Sequence, residues 1–214
     1  MVIRIILCLG LGYLFGCFST GYIIGKMKKV DIRNYGSGSS GTTNALRTLG
    51  VKAGFITLLG DMLKAILPIL LIRYLLFKDV PYVQLLTLYA GLGVVLGHNY
   101  PVWLKFKGGK GIAATGGVMV AFDPRIILAG LPVFLISVAL TRYVSVGSLL
   151  VSILFPTWIY IFYPKELHML IVALIFMILA FIKHRANIKR LLNGTENKLG
   201  HRVKIDDENN PEKE

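Results

Sequence analysis

What most limits the fold of this chain is a succession of apolar runs of membrane length, near residues 2–25, 53–77, 82–104, 144–163 and 167–182. A helix rises about 1.5 Å per residue, so about 20 apolar residues cross a hydrocarbon core of about 30 Å. In water such runs would have no place to hide. A domain of 214 residues that is 55% hydrophobic and only 16% charged has too little interior for its apolar surface, because small bodies expose most of their residues. Lipid must be the solvent, and the expected class is an all-α integral membrane protein.

The formal net charge of +13 would suit a nucleic-acid binder if the basic residues formed one face. They fall instead in clusters between apolar runs, the pattern of loops retained on the cytoplasmic side, so no nucleic-acid partner is expected. The first apolar run is longer than the core of a cleavable signal peptide and ends without a small-x-small site, so it reads as a retained span. Cys8 and Cys17 lie nine helical residues apart, roughly 13 Å, too far for a disulfide, and read as packing residues.

Between Gly111 and Leu140 two shorter runs are split by Asp123-Pro124-Arg125. One long helix there would hold a proline and two charges at mid-membrane, which leaves either two short crossings or a re-entrant pair. Lysine and arginine placement sets the orientation. One side collects Lys26, Lys28, Lys29, Arg33, Arg47, Lys52, Lys105, Lys107, Lys110, Arg142 and the basic stretch 183–204; the other holds Arg4, Lys78, Arg125 and Lys165. The crowded side is expected to be cytoplasmic, with the N-terminus outside and the C-terminus inside. That requires an odd number of crossings: five if the 111–140 pair is re-entrant, seven if it crosses. Seven is the expectation, within one domain over 1–205. The polar tail 206–214, DDENNPEKE, should be disordered.

Three segments rich in glycine and polar groups fall on that crowded side. The first, DIRNYGSGSSGTTNALRTLG (31–50), holds Gly36, Gly38 and Gly41, which can turn successive N–H groups into one concavity beside Ser37 and other hydroxyls. Arg47 follows on a helix-like stretch, with the planar fork suited to phosphate oxygens. A flexible serine–glycine connector is the plain alternative.

In the second segment, GHNYPVWLKFKGGKGIAATGG (97–117), Gly108, Gly109 and Gly111 surround Lys107 and Lys110 and open a helical run. A glycine turn entering a helix N-terminus binds phosphate through backbone donors and helix dipole together. The G-x-x-x-x-G-K-[ST] spacing of a nucleotide loop is missing. An anchor to lipid headgroups is the alternative. The third segment, KHRANIKRLLNGTE (183–196), places His184 and Asn187 on one helical face at the membrane boundary, where a satisfied interfacial histidine is the bland reading. Ser145, in the short turn TRYVSVGS, could reach the same place. Within the second run, Asp61 and Lys64 share a face and are expected as a structural ion pair before a substrate contact, while Arg73 is expected to snorkel.

In order along the chain, GCFSTGYIIGK (16–26), DIRNYGSG with GTTN, Arg47 and LG (31–50), LGDMLK (59–64), GHNYP with FKGGKG (97–111), RYVS (142–145) and KHRANIKRLLNGTE (183–196) resemble the bacterial acyl-phosphate:glycerol-3-phosphate acyltransferase family. The resemblance covers residues from about 12 to 196. It implies a compact bundle of seven short helices in a bacterial cell membrane, with acyl phosphate as donor, glycerol 3-phosphate as acceptor, and lysophosphatidic acid and phosphate as products. No metal or organic cofactor is implied, and a monomer is expected. It implies catalytic roles for Ser37, Arg47, His184 and Asn187, and substrate contacts by Lys107, Ser145, Lys110, Gly36, Gly38, Gly108 and Gly109. Ser39 stands where relatives carry Asn, Gly41-Thr42-Thr43 where they carry Gly-Ala-Thr, and Ala186 where many carry Glu, so no catalytic carboxylate is assigned at 186.

The spacing His201 to Asp206 matches the HxxxxD signature of another acyltransferase class, but it falls in the polar tail with nothing to orient it and reads as chance. Phosphate-binding groups are abundant and no nucleophile–base–carboxylate triad is visible. Direct attack by the glycerol 3-phosphate hydroxyl is therefore expected, with an acyl-serine at Ser37 as its rival. A small transporter or channel for phosphorylated metabolites is the other class of function. Polar groups crowding one face, with no repeated broken helices, weigh against it.

Overall fold

A computed structural model of the chain describes residues 1–203, and every regular element in them is helical. The expectations for the tail 206–214, and for Asp206 as a partner of His201, lie outside the described residues.

The first apolar run forms two helices, α1 (Val2–Gly16) and α2 (Thr20–Met27). The break exposes two carbonyls, and both find donors. Trp103 Nε1–H donates to the Cys17 carbonyl at 3.0 Å, and the Lys64 ammonium to that of Phe18 at 2.6 Å. A short helix, α3 (Thr42–Leu49), leads through Gly50 into the long α4 (Val51–Leu71), which ends in one wide turn over Ile72–Leu76. Then come α5 (Val83–Asn99), α6 (Ile112–Phe122), α7 (Ile127–Thr141), α8 (Val144–Phe162), α9 (Leu167–Lys183) and α10 (Arg185–Leu192).

The most intimate pairing joins α1 to α5. A Cβ on Gly12 would strike the backbone of Ala90, one on Gly16 that of Val94, one on Gly93 that of Leu9 and one on Gly97 that of Tyr13. Two glycine pairs, each with a four-residue repeat, thus let the helix backbones touch. Such small-xxx-small seams hold helices together where lipid removes the hydrophobic drive.

Four helical stretches are both long and apolar enough to cross a membrane: Val2–Met27, Val51–Leu76, Pro124–Thr141 and Val144–Phe162. A fifth, Leu167–Lys183 with Arg185–Leu192, is bent by 59° at His184. The helix α6 is apolar but short, and it is separated from α7 by the break expected at Asp123-Pro124-Arg125.

Contacts sort the loops into two ends. At one end Arg4 reaches Tyr82 Oη, and Asp123 accepts from Arg125, Trp158 and Tyr163. Those donors hold the Asp123 carboxyl far below its ordinary range, Arg125 foremost. Arg73 does not snorkel freely as expected. It clamps the last carbonyls of α6, Ala121 and Phe122, at 3.0 and 2.9 Å, where a cation also suits the helix dipole. At the other end meet the segments around 31–50, 97–111, 142–145 and 183–203.

Candidate active site

The loop before α3 is built around Asn44, which is fully buried. Its Oδ1 accepts the Ser37 N–H at 2.9 Å. Its Nδ2 lies 2.7, 2.8 and 3.1 Å from the carbonyls of Ile32, Ser39 and Tyr35. Gly36 and Gly38 take φ of +61° and +67°, backbone that a side chain would strain, and this lets the loop wrap that amide. Three of the N–H groups expected in an anion-binding concavity have partners inside the loop. The Ser37 N–H goes to Asn44, that of Gly38 to the Tyr35 carbonyl and that of Gly41 to Ser39 Oγ. These three amides are taken up within the loop, while Thr42 and Thr43, in the first turn of α3, line the cavity beside it.

Next to this loop lies a cavity of about 410 Å³. Its polar end is formed by Ser37, Arg47, Lys110, Ser145, His184 and Asn187, so six of the residues singled out in the sequence come together. Its other end is apolar, walled by α4, α6, α7 and α8. Gly111, at φ +84°, turns the chain into α6, and Ile112 and Ala113 in the first turn line the cavity. First-turn N–H groups have no acceptor within their own helix, so they offer donors to an anion there.

The polar end is wired through one carboxylate. Glu196 Oε1 accepts from Ser145 Oγ at 3.1 Å and from Asn187 Nδ2 at 2.7 Å, while Oε2 accepts from Arg190 Nε at 2.7 Å. Asn187 Oδ1 in turn accepts from the Lys110 ammonium at 2.6 Å. Burial, followed by the balance of Glu196 against nearby arginines, brings the Lys110 ammonium down to about 8. Burial likewise lowers Arg47, which stays a cation. Arg47 Nη2 donates to the Asn197 carbonyl and its own carbonyl accepts from Val203 N–H, so the segment after α10 straps across the mouth.

His184 Nδ1 lies 2.8 Å from the Ala180 carbonyl. A carbonyl can only accept, so Nδ1 carries a proton; burial lowers the ring to about 4, so near neutral pH the imidazole is uncharged and Nε2 keeps its lone pair.

Below the polar end Lys64 is fully satisfied. Its three N–H donors meet Phe18 O, Asp61 Oδ1 at 2.9 Å and His98 Nδ1 at 2.8 Å. The expected Asp61–Lys64 pair forms, and Asp61 and His98 also line the cavity. Gly109 packs on the His98 ring and its N–H donates to the His98 carbonyl; Gly108 packs against that same carbonyl.

The remaining candidates stand apart from the cavity. Gly108 and Gly109 are its supports, Gly36 shapes the first loop, and Lys107 is exposed. Lys107 and Gly38 line a neighbouring cleft of about 420 Å³ with Arg33 and Lys105. Arg33 there is paired with Asp31 at 2.7 Å and stacked over Tyr22. Sequence reasoning missed Glu196 and Asn44. A signal for the first existed: it is the sole acidic residue in 183–204, and a lone carboxylate among cations invites a partner. Among the described residues no group of three His, Cys, Asp or Glu side chains is placed to hold a metal.

The sequence matches the family model for glycerol-3-phosphate acyltransferase over residues 6–194. Among its relatives, the glycerol-3-phosphate acyltransferase of Thermoanaerobacter pseudethanolicus is 43% identical over 196 residues, covering 91% of this chain and 96% of that protein. That of Bacillus subtilis is 44% identical over 190 residues, covering 88% and 94%. Of solved structures, the crystal structure of PlsY (YgiH), an integral membrane glycerol 3-phosphate acyltransferase, is similar in its glycerol 3-phosphate form with a TM-score of 0.84, 36% identity and coverage of 92% and 96%. Its lysophosphatidic acid form gives 0.81 at 34% identity and the same coverage.

Proposed function

Because this chain belongs to the glycerol-3-phosphate acyltransferase family, we propose that it moves a fatty acyl group from an acyl phosphate to glycerol 3-phosphate, releasing lysophosphatidic acid and phosphate. It is an integral membrane acyltransferase that serves phospholipid synthesis. The observation that carries the donor assignment is the two-ended cavity. Arg47, Lys110 and the first turn of α6 suit two phosphates, and the apolar end suits one acyl chain. Leu131 and Leu135 line that end and are 50% and 54% exposed, so a lipid-borne donor has a lateral way in.

An acyl phosphate is already activated, so holding two anions together is the main catalytic task. The substrate hydroxyl attacks the acyl carbon. A new ester C–O bond forms and the bond from the acyl carbon to the phosphate oxygen breaks. His184 Nε2 accepts the hydroxyl proton and the departing phosphate finally carries it. Ser37, Ser145 and Asn187 orient the two substrates. Labelled glycerol 3-phosphate and an acyl phosphate, incubated with purified protein, should yield an extractable labelled lipid; no lipid product would defeat the reading. Donor alone should leave the protein unacylated, and a trapped acyl-serine would replace direct transfer with a covalent route.

The same reading sets the chain as a monomer in the bacterial cytoplasmic membrane, site facing the cytoplasm, N-terminus outside. Seven crossings are made by α1 with α2, then α4, α5, α6, α7, α8 and α9.

A further inference from the structure

The apolar end of the cavity has a defined depth. In α6 its lining residues are Ile112, Ala113, Gly116, Met119 and Val120, one helical stripe that starts beside Lys110 and descends along the helix. The opposite stripe of α7 runs from Leu135 back to Ile127, and the buried Ile126, just before α7 begins, lines the end away from Lys110. From Ile112 to Val120 the helix descends about 12 Å, close to the half-thickness of about 15 Å that one leaflet's chains occupy.

That far end is firmly pinned. The turn holding Ile126 begins at Asp123, whose carboxylate takes Arg125, Trp158 and Tyr163. The carbonyls just above it are clamped by Arg73. A floor held by this many charged hydrogen bonds will not retreat to admit a longer chain.

One position along the stripe is empty. A Cβ on Gly116 would meet nothing within 4 Å, although Gly116 lines the cavity. The adjacent Gly117 is the contrast, since a Cβ there would strike the Met62 carbonyl and Ala65 of α4. Gly117 is needed for packing; Gly116 leaves room that the bundle itself does not use. It lies one helical turn, about 6 Å, below the first residue of α6, on the path from the polar end to the floor.

We propose that this groove gauges acyl-chain length, with Gly116 keeping the passage open and the pinned turn at Asp123–Ile126 setting the stop. The inference rests on the acyl-transfer reading and extends it to substrate choice. A side chain at 116 fills the passage near its top, one at 120 fills it a turn lower, so the two positions cut off different lengths. Excluding methylenes from an apolar pocket discriminates by about ten- to two-hundredfold in kcat/KM.

The test compares wild type, Gly116→Leu, Gly116→Phe and Val120→Phe in membranes, with saturated acyl phosphates from octanoyl to stearoyl. Gly10→Leu is the control, because a Cβ at Gly10 is also unobstructed but lies on the outer surface of α1, far from the groove. Gly116→Phe should keep turnover of the shortest donor and lose on the order of tenfold or more on palmitoyl phosphate. Val120→Phe should lose only the longest donors, and Gly10→Leu should match wild type. A wild type inactive with every acyl phosphate would sink the acyl-transfer reading itself. With an active wild type, an unshifted profile in Gly116→Phe would overturn the gauge and place the chain in the lateral opening. A uniform fall at all lengths would equally overturn it.

Discussion

Lys110 joins the site's charge to solution pH. Its ammonium is charged below about 8 and neutral above, and attraction for an anionic substrate is present in the first state and lost as pH rises through that value. Phosphate monoesters are already mostly doubly charged above about pH 6, so the loss belongs to the enzyme. The measured kcat/KM for glycerol 3-phosphate, which reports the free enzyme, should fall as pH climbs past about 8. Lys110→Arg keeps its charge and should move that fall upward; an unmoved limb would assign the titration elsewhere. Arg47→Lys keeps a charge but loses the fork, and should weaken substrate handling by on the order of tenfold, seen as a raised KM. His184→Ala membranes should lose most acyl transfer. Asn44→Asp puts a carboxylate against three carbonyls where an amide donated. It should cost about 1–3 kcal/mol of stability, visible as a lowered unfolding temperature in detergent. At this scale the meeting of Arg47, His184 and Asn187 at one cavity is legible in the sequence, because cation, imidazole and amide in polar loops suit anion chemistry. Asn44 is not, since an amide that organises a loop looks in sequence like one that touches a ligand. Lys107 and Lys110 carry the same charge two glycines apart, and the turns at Lys105, Phe106 and Gly111, which sequence does not announce, accompany the entry of Lys110 alone into the cavity.

Among elements, the α1–α5 seam makes the sharpest demand. Gly93 and Gly97 meet Leu9 and Tyr13 backbone to backbone, so Gly93→Leu must push the helices apart. Overpacking typically costs about 1–3 kcal/mol, and here it also drags on the α1–α2 break that accepts from Lys64 and Trp103. Thermal unfolding of Gly93→Leu should fall well below that of Gly10→Leu on the same helix pair; equal values would mean the seam is loose. The apolar runs were readable as helices because their length and low charge leave no alternative in lipid. Where they bend was harder to see. The break at Asp123-Pro124-Arg125 shows in sequence through its proline, whereas the break at Cys17–Ser19 has none and depends on donors from residues 64 and 103. Arg73 reads as a snorkelling cation until α6 is known to end beside it.

For the whole molecule the proposed topology predicts that α6 and α7 each cross. Eleven residues of α6 rise only about 17 Å, short of a hydrocarbon core of about 30 Å. Yet its C-terminal carbonyls are held by Arg73, in the last turn of the stretch Val51–Leu76, which starts at the site end. The other end of α6 meets Asn187 through Lys110. Ties at both ends of the bundle are what the proposed crossing requires, and local thinning of the bilayer around α6 would meet the shortfall. Cys8 and Cys17 are buried, so single cysteines placed on the surface can be labelled against a silent background. In intact cells a membrane-impermeant maleimide should label Lys165→Cys and Arg125→Cys, and should label Lys198→Cys only after permeabilisation. Labelling of Lys198→Cys alone in intact cells would invert the orientation. Protection of Arg125→Cys beside a labelled Lys165→Cys would make the α6–α7 pair re-entrant, leaving five crossings and a groove floor that never reaches the outer surface.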